Sequence, residues 1–283
     1  MIKNIYVILF CCISFFTFIF LEIRRKIMFS TYGYIRDKEN HLILILFLIM
    51  LLVVVPVIIM TMYFMFKYNE NNKNKKYCPN WNSSYIIESI IWIIPIIIVT
   101  IFSVISFNTT KSLDPSKYIQ SNRKTIEINV ISLDWCWLFI YPDYKIASIN
   151  EVAIPTNTTV KFNITSSSVM NSFFVPNLGS QIYAMPGTKT KLYLITKHSG
   201  IYKGMSSNYS GYGFSNMKFT LLAFDSDSKF LSWINILKSS KTFLDNRKKF
   251  ENLQIPKINR KKEYFSHVYP DLFENIINKF HCK

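Results

Sequence analysis

Acidic residues are scarce in this chain: 17 Asp and Glu stand against 33 Lys and Arg, for a formal charge of +16 over 283 residues. Such an excess raises the question of nucleic acid. The basic residues, however, are spread among Ile, Asn, Tyr and Phe and form no compact basic helix or recognition motif, so nucleic acid is not an expected partner. Dispersed charge of this kind covers a solvated surface or faces anionic lipid. Glycine is also rare, with seven residues, and no Gly-rich phosphate loop or internal repeat occurs. The five cysteines, at positions 11, 12, 78, 136 and 282, are odd in number, far apart and without any CxxC. That pattern excludes a disulfide framework and a zinc site.

What the chain has in quantity is apolar residues, half of the total. They are concentrated before position 108. Residues 42–66 contain no charged group and would span roughly 37 Å as a helix. Residues 86–107 carry a single charge, Glu88, and would span roughly 33 Å. Both are long enough to cross a bilayer, where Pro56 and Pro95 are tolerated as kinks. A third apolar stretch, residues 5–21, is followed by Leu21-Glu22-Ile23-Arg24-Arg25 rather than an A-x-A-like cleavage site. Residues 1–26 are therefore a signal-like segment or an extra N-terminal anchor. Cys11 and Cys12 lack the small residue that precedes a lipid-modified cysteine. Lysine counting leaves the orientation open, because Lys67, Lys73, Lys75 and Lys76 between the spans are matched by basic residues outside them.

Beyond Phe107 the period changes to two. Ile126, Ile128 and Val130 share one face, and Trp135, Trp137, Phe139 and Tyr141 alternate on the opposite parity, which predicts a bulge or bend at residues 132–134. Further short strands are expected over 160–164, 192–195 and 217–221, separated by Pro155-Thr156-Asn157, Pro186-Gly187 and Ser210-Gly211-Tyr212-Gly213. The pattern is that of a sandwich or small barrel. Residues 229–237 and 270–280 read as helices, with an irregular polar segment over 239–262. The organisation expected is a 1–26 segment, a helical hairpin over 27–110, a β-domain over 111–224 and a mostly helical extension over 225–283.

Two apolar helices before a strand-rich domain with Asp134-Trp135-Cys136-Trp137 resemble subunit II of the haem-copper oxidases. Cys78-Pro79-Asn80-Trp81 with Glu88 to Pro95, the segment 169–176 with Leu178-Gly179 and Met185-Pro186-Gly187, and residues 202–217 match that family's motifs in order and spacing. The resemblance covers about residues 33–280 and implies a cupredoxin-like fold. In members that accept electrons from cytochrome c, this domain holds a binuclear copper centre. The family's two His would stand at Asn171 and Phe214, its two Cys at Ser206 and Ser210, and its carbonyl-donating Glu at Asn208; Met217 alone is retained. Mixed-valence copper requires bridging thiolates and imidazoles, so no metal and no cofactor is expected on this chain.

The resemblance is then to the quinol-oxidising branch, which residues 168–174, Tyr264-Phe265-Ser266 and Pro270-Asp271-Leu272-Phe273 also resemble. It implies a non-catalytic subunit of a proton-translocating ubiquinol oxidase of the bacterial inner membrane, multi-pass, with its β-domain and C-terminus periplasmic. The partners implied are subunit I, smaller membrane subunits and membrane lipid. Haems, copper and ubiquinol would be bound by subunit I, and cytochrome c would not be a partner. Lys26 stands about where many relatives carry a lipidated cysteine.

Glu88 has two readings, a group at the mouth of a proton-uptake path or a first-turn carboxylate near the headgroups. Trp135, Trp137 and Met217 have no acceptor behind them and are read as packing residues, and Cys136 needs no redox role. Three alternatives stand beside this reading: a copper-bearing cytochrome c oxidase subunit II, a structural cupredoxin-like domain without an oxidase, and a tethered copper-delivery factor. The last would need a thiol pair that the chain lacks.

Overall fold

The computed structural model describes residues 32–68 and 83–281. Residues 1–26, the Cys78-Pro79-Asn80-Trp81 motif, the lysines of the inter-span loop beyond Lys67, and Cys282 lie outside the described residues. The chain divides into a helical unit, residues 39–112 among those described, and a β-rich unit made of residues 32–38 and Leu113 onward.

The helical unit is built on α1 (Tyr34–Lys67) and α2 (Tyr85–Ser112). Both are long and apolar enough to cross a membrane, and their most apolar windows have no buried residue. A helix that is apolar on every side yet unburied needs a lipid environment. The first turn of α1 belongs to the β-rich unit. There Gly33 bridges Thr196, the Lys197 amide donates to the Tyr32 carbonyl at 2.9 Å, and Lys197 pairs with Asp37.

The β-rich unit is a two-sheet sandwich. Its strands are β1 (Ile126–Leu133), β2 (Cys136–Tyr141), β3 (Ile146–Ile149), β4 (Glu151–Pro155), β5 (Val160–Ser166), β6 (Asn171–Val175), β7 (Gly179–Ala184), β8 (Thr190–Leu194), β9 (Gly200–Ser206) and β10 (Lys218–Phe224). After them come α3 (Asp227–Lys238), β11 (Phe243–Leu244), α4 (Arg247–Gln254), β12 (Glu263–Phe265), β13 (His267–Val268) and α5 (Leu272–Asn278). One sheet has the order β12-β3-β2-β1-β5-β8 and the other β4-β10-β9-β6-β7. The β1/β5 and β10/β4 pairs are parallel and their neighbours antiparallel. This is the cupredoxin-like arrangement that the resemblance implied.

The change of parity at residues 132–134 has a different cause from the bulge or bend expected. The chain reverses there through the two-residue turn Asp134-Trp135, and Leu133 faces Cys136. Partners across this hairpin have opposite parity and therefore share a face. Ile128, Val130, Trp137, Phe139 and Tyr141 point into the space between the sheets, while Ile131, Leu133, Cys136, Leu138 and Ile140 point out. The inner core is aromatic: Trp137 meets Phe173 and Phe219 edge-on at 5.3 and 5.8 Å, and the latter two stack at 4.9 Å. Such pairs add about 0.5–1.5 kcal/mol each beyond their area.

The outer face of the first sheet would be exposed without the C-terminal extension. Leu244, Phe250, Phe265, Val268, Leu272, Phe273, Ile276 and Ile277 cover it and form a second core. The segment 239–262 is consequently not irregular throughout, since α4 lies within it. This helix has eight residues and one buried side chain, Phe250, too little for its period to be legible. In α3, by contrast, Phe230, Trp233, Ile234 and Leu237 recur at helical spacing, and the Ser226 hydroxyl caps the first turn.

Candidate functional site: a hydrogen-bonded cluster at the copper-loop positions

β6 and β9 are adjacent strands, with Phe173 opposite Ser206. That register brings Asn171, at the start of β6, next to Ser206, at the end of β9. The Ser206 hydroxyl lies 3.1 Å from the Asn171 amide oxygen and 3.2 Å from the Asn208 carbonyl. On its other side the Asn171 amide donates to the Ser132 hydroxyl on β1 at 2.6 Å. Asn171 and Ser132 are buried, at 1% and 0% exposure, and Ser206 is nearly so. The result is a closed amide–hydroxyl chain linking the two sheets. Its members satisfy one another, as buried polar groups must.

The loop between β9 and β10 closes over this cluster. The Asn208 side-chain amide donates to the Met170 carbonyl at 3.1 Å, and the Ser206 amide donates to the Met217 carbonyl at 3.1 Å. Met217 itself is fully buried in the inner core, just before β10. Ser210 and Phe214 take other partners. The Ser210 carbonyl accepts from the Trp135 indole at 3.1 Å, and Phe214 packs edge-on against Tyr209 at 5.1 Å.

Trp135 thus differs from Trp137, although sequence reading paired them. Trp137 is at 0% exposure in the inner core. Trp135 sits on the hairpin turn with φ 66°, a conformation that is costly for a bulky residue. It is held there by the bond to Ser210 and by Tyr212, whose ring meets it edge-on at 5.4 Å. Gly213 lies so close that a β-carbon would collide with the indole, which explains a glycine at that position.

As a metal shell the donor set fails on chemistry. Hydroxyls of Ser206 and Ser210, the amide of Asn171 and the ring of Phe214 offer no thiolate and no imidazole, and a single thioether does not hold a mixed-valence copper pair. Among the described residues no three His, Cys, Asp or Glu side chains cluster as metal ligands. Cys136 is buried on the outer face, and burial pushes its thiol up to about 12.

Glu88 lies in the first turn of α2, exposed on the helix surface, with its backbone amide bonded to the Ser84 carbonyl at 2.9 Å. Two residues of consequence were not singled out from the sequence, Ser132 and Glu151. Ser132 is the one hydroxyl on the inner face of β1, between Val130 and the turn. Glu151 is the lone carboxylate in the apolar run 146–155.

Residues 143–223 match the family Cytochrome C oxidase subunit II, periplasmic domain, and residues 238–281 match COX Aromatic Rich Motif. The chain is 53% identical over 203 residues to cytochrome bo(3) ubiquinol oxidase subunit 2 of Buchnera aphidicola subsp. Baizongia pistaciae, which covers 72% of this chain and 71% of that one. It is 50% identical over 208 residues to the protein of the same name from Buchnera aphidicola subsp. Schizaphis graminum, covering 74% and 72% respectively. Among solved structures, the periplasmic domain of subunit II of cytochrome oxidase from Bradyrhizobium japonicum is 21% identical, covers 42% of this chain and 96% of that one, and aligns with a TM-score of 0.39. At that identity and coverage in the curated relatives, the chain belongs to the cytochrome bo(3) ubiquinol oxidase subunit 2 family.

Proposed function

We propose that this chain is the non-catalytic subunit II of a proton-translocating ubiquinol oxidase that reduces O₂ to water. The observation that carries the reading is the Ser132–Asn171–Ser206 cluster: the positions where copper-bearing relatives need sulfur and nitrogen donors hold a self-satisfied amide–hydroxyl chain. A domain built this way has no relay to accept an electron from cytochrome c. Electrons then enter from ubiquinol at subunit I, which holds the haems and the copper of the oxygen site. The role left to this chain is to anchor and support that subunit.

The two apolar helices support a multi-pass location in the bacterial inner membrane. The β-domain and C-terminus then face the periplasm, and the lysine-bearing loop between the spans faces the cytoplasm. The expected contacts are with subunit I, smaller membrane subunits and lipid. Glu88 is a carboxylate on an otherwise apolar helix. It contributes to proton uptake from the side of the inter-span loop.

Purification of the full chain in mild detergent tests the assignment. A haem-rich, multi-subunit particle with quinol-dependent oxygen consumption supports it, and an isolated colourless protein favours a structural domain without an oxidase. Stoichiometric copper with purple absorbance on the isolated chain would overturn it in favour of a cytochrome c oxidase subunit. Glu88→Ala in the assembled oxidase should slow turnover at unchanged assembly; unaltered oxygen uptake rejects the uptake role.

A further inference from the structure

Glu151 opens β4 at the corner where the chain passes from one sheet to the other, and its side chain is 6% exposed. Three donors converge on it. The Tyr264 hydroxyl lies 2.7 Å from one carboxylate oxygen and the Trp233 indole nitrogen 3.3 Å from the same atom, while Lys262 pairs with the other. Trp233 is on α3, whereas Tyr264 is on β12, which returns after the excursion through β11 and α4, and Lys262 immediately precedes that strand. The neighbouring Asn150 repeats the pattern. Its side-chain oxygen accepts from the Trp137 amide and its nitrogen donates to the Arg260 carbonyl, both at 2.9 Å. β12 then joins the edge strand β3, with Tyr264 opposite Ser148.

We propose that Glu151 is the latch of a strap: one buried carboxylate holds both limbs of the C-terminal extension, and so keeps the extension closed over the apolar outer face of the first sheet. The proposal is independent of the electron donor and of the copper question. It assigns the aromatic-rich segment a mechanical task within this chain, that of a lid over Ile131, Leu133, Cys136, Leu138 and Ile140. The groups bonded to Glu151 are Lys262, Tyr264 and Trp233, and the buried Tyr141 hydroxyl also lies within its field. Burial and then the bond to Glu151 raise the Tyr264 hydroxyl to about 12. For Glu151 itself, burial would raise the carboxyl, but the bonds from Lys262, Tyr264 and Trp233 outweigh it and hold the group below the ordinary range.

Local opening of a strap is visible where the global fold is kept. Cys136 lies beneath the extension and reports on it. In a full chain in detergent whose only remaining cysteine is Cys136, the rate of alkylation measures opening, and hydrogen exchange of the β1 and β5 amides measures the sandwich. Glu151→Leu should raise the alkylation rate about tenfold to a hundredfold, the range set by losing hydrogen bonds to a charged group, with β1 and β5 exchange unchanged. Lys262→Met, which removes one donor from the extension side, should raise it by a smaller factor. In Glu151→Gln the Tyr264 hydroxyl should titrate at lower pH than in the parent, read by ultraviolet difference against Tyr264→Phe. Alkylation at the parent rate in both Glu151→Leu and Lys262→Met would overturn the latch. Loss of β1 and β5 protection in step with Cys136 exposure would overturn it too, because Glu151 would then stabilise the whole domain rather than the strap.

Discussion

Replacing Asn171 by leucine removes the centre of the amide–hydroxyl cluster while nearly preserving volume. The Ser132 hydroxyl, at 0% exposure, loses its donor. The Ser206 hydroxyl loses one acceptor but retains the Asn208 carbonyl at 3.2 Å. An unsatisfied buried hydroxyl costs about 1–3 kcal/mol, and the weaker loss at Ser206 brings the expected destabilisation to about 2–4 kcal/mol. With a urea dependence of about 2 kcal/mol/M, the unfolding midpoint of the β-domain should fall by about 1–2 M. The informative variant is the triple replacement Ser132→Ala, Asn171→Leu, Ser206→Ala. It removes the three side-chain partners together and leaves only the Asn208 carbonyl and the Ser172 amide, 3.2 and 3.4 Å from the lost Ser206 hydroxyl, without that contact, so stability should recover to within about 1–2 kcal/mol of the parent. Quinol-dependent oxygen uptake of the assembled oxidase should follow the same recovery, because the cluster packs the domain and touches no reactant. Two results would refute this reasoning: a harmless Asn171→Leu, or a triple variant that is fully stable yet inactive. The second would give the cluster a role in turnover.

The remaining expectations rest on separate contacts. The Tyr141 hydroxyl is wholly buried, donating to the Ala153 carbonyl at 2.9 Å and accepting from its amide at 2.8 Å, so Tyr141→Phe strands two backbone groups and should cost about 2–4 kcal/mol in denaturant unfolding. Glu151 is held below its ordinary value in the folded chain, so its contribution is present above the unfolded value of about 4.3 and is lost as the pH falls from there through the folded value. Acid titration of stability should therefore lose part of its slope below about pH 4.3 in Glu151→Gln, and a slope identical to the parent's would contradict the assignment. Ending the chain after Phe224 exposes Ile131, Leu133, Leu138, Ile140 and Ile149 at about 1.5–3 kcal/mol each, as much as a domain's whole stability, so the product should aggregate rather than give a monodisperse peak in size exclusion.

The parts of the fold legible in the sequence were those with one dominant cause. An uncharged run such as residues 42–66 has one stable solution in a bilayer, and α1 includes all of it. Alternation at Trp137, Phe139 and Tyr141 marked an inward face correctly. Where two causes overlapped, the pattern blurred. β1 and β2 are apolar on both faces because the sandwich core takes one and the extension the other, and the parity change between them was read as a bend instead of a hairpin. α4 escaped notice because its stability comes from Phe250 packing into the second core and not from a periodic stripe of its own.

The site shows the complementary limit. A one-for-one comparison of Asn171, Ser206, Ser210 and Phe214 with a metal-binding motif shows residue types that are not copper donors, because ligand chemistry depends on residue type alone. It could not reveal how those side chains are partnered, because that depends on a third strand. Ser132 carries no motif, yet register places it opposite Trp137 on the inner face, within reach of Asn171 across the sandwich. A polar position in a closed core must find a partner or become apolar. Here serine and asparagine serve because β1 supplies a hydroxyl at the point where the β6 amide arrives. The cluster is therefore a joint product of two polar side chains and one register. The same logic links it to Glu151, where one polar side chain at a sheet corner is tolerated because three donors from the two limbs of the extension converge on it.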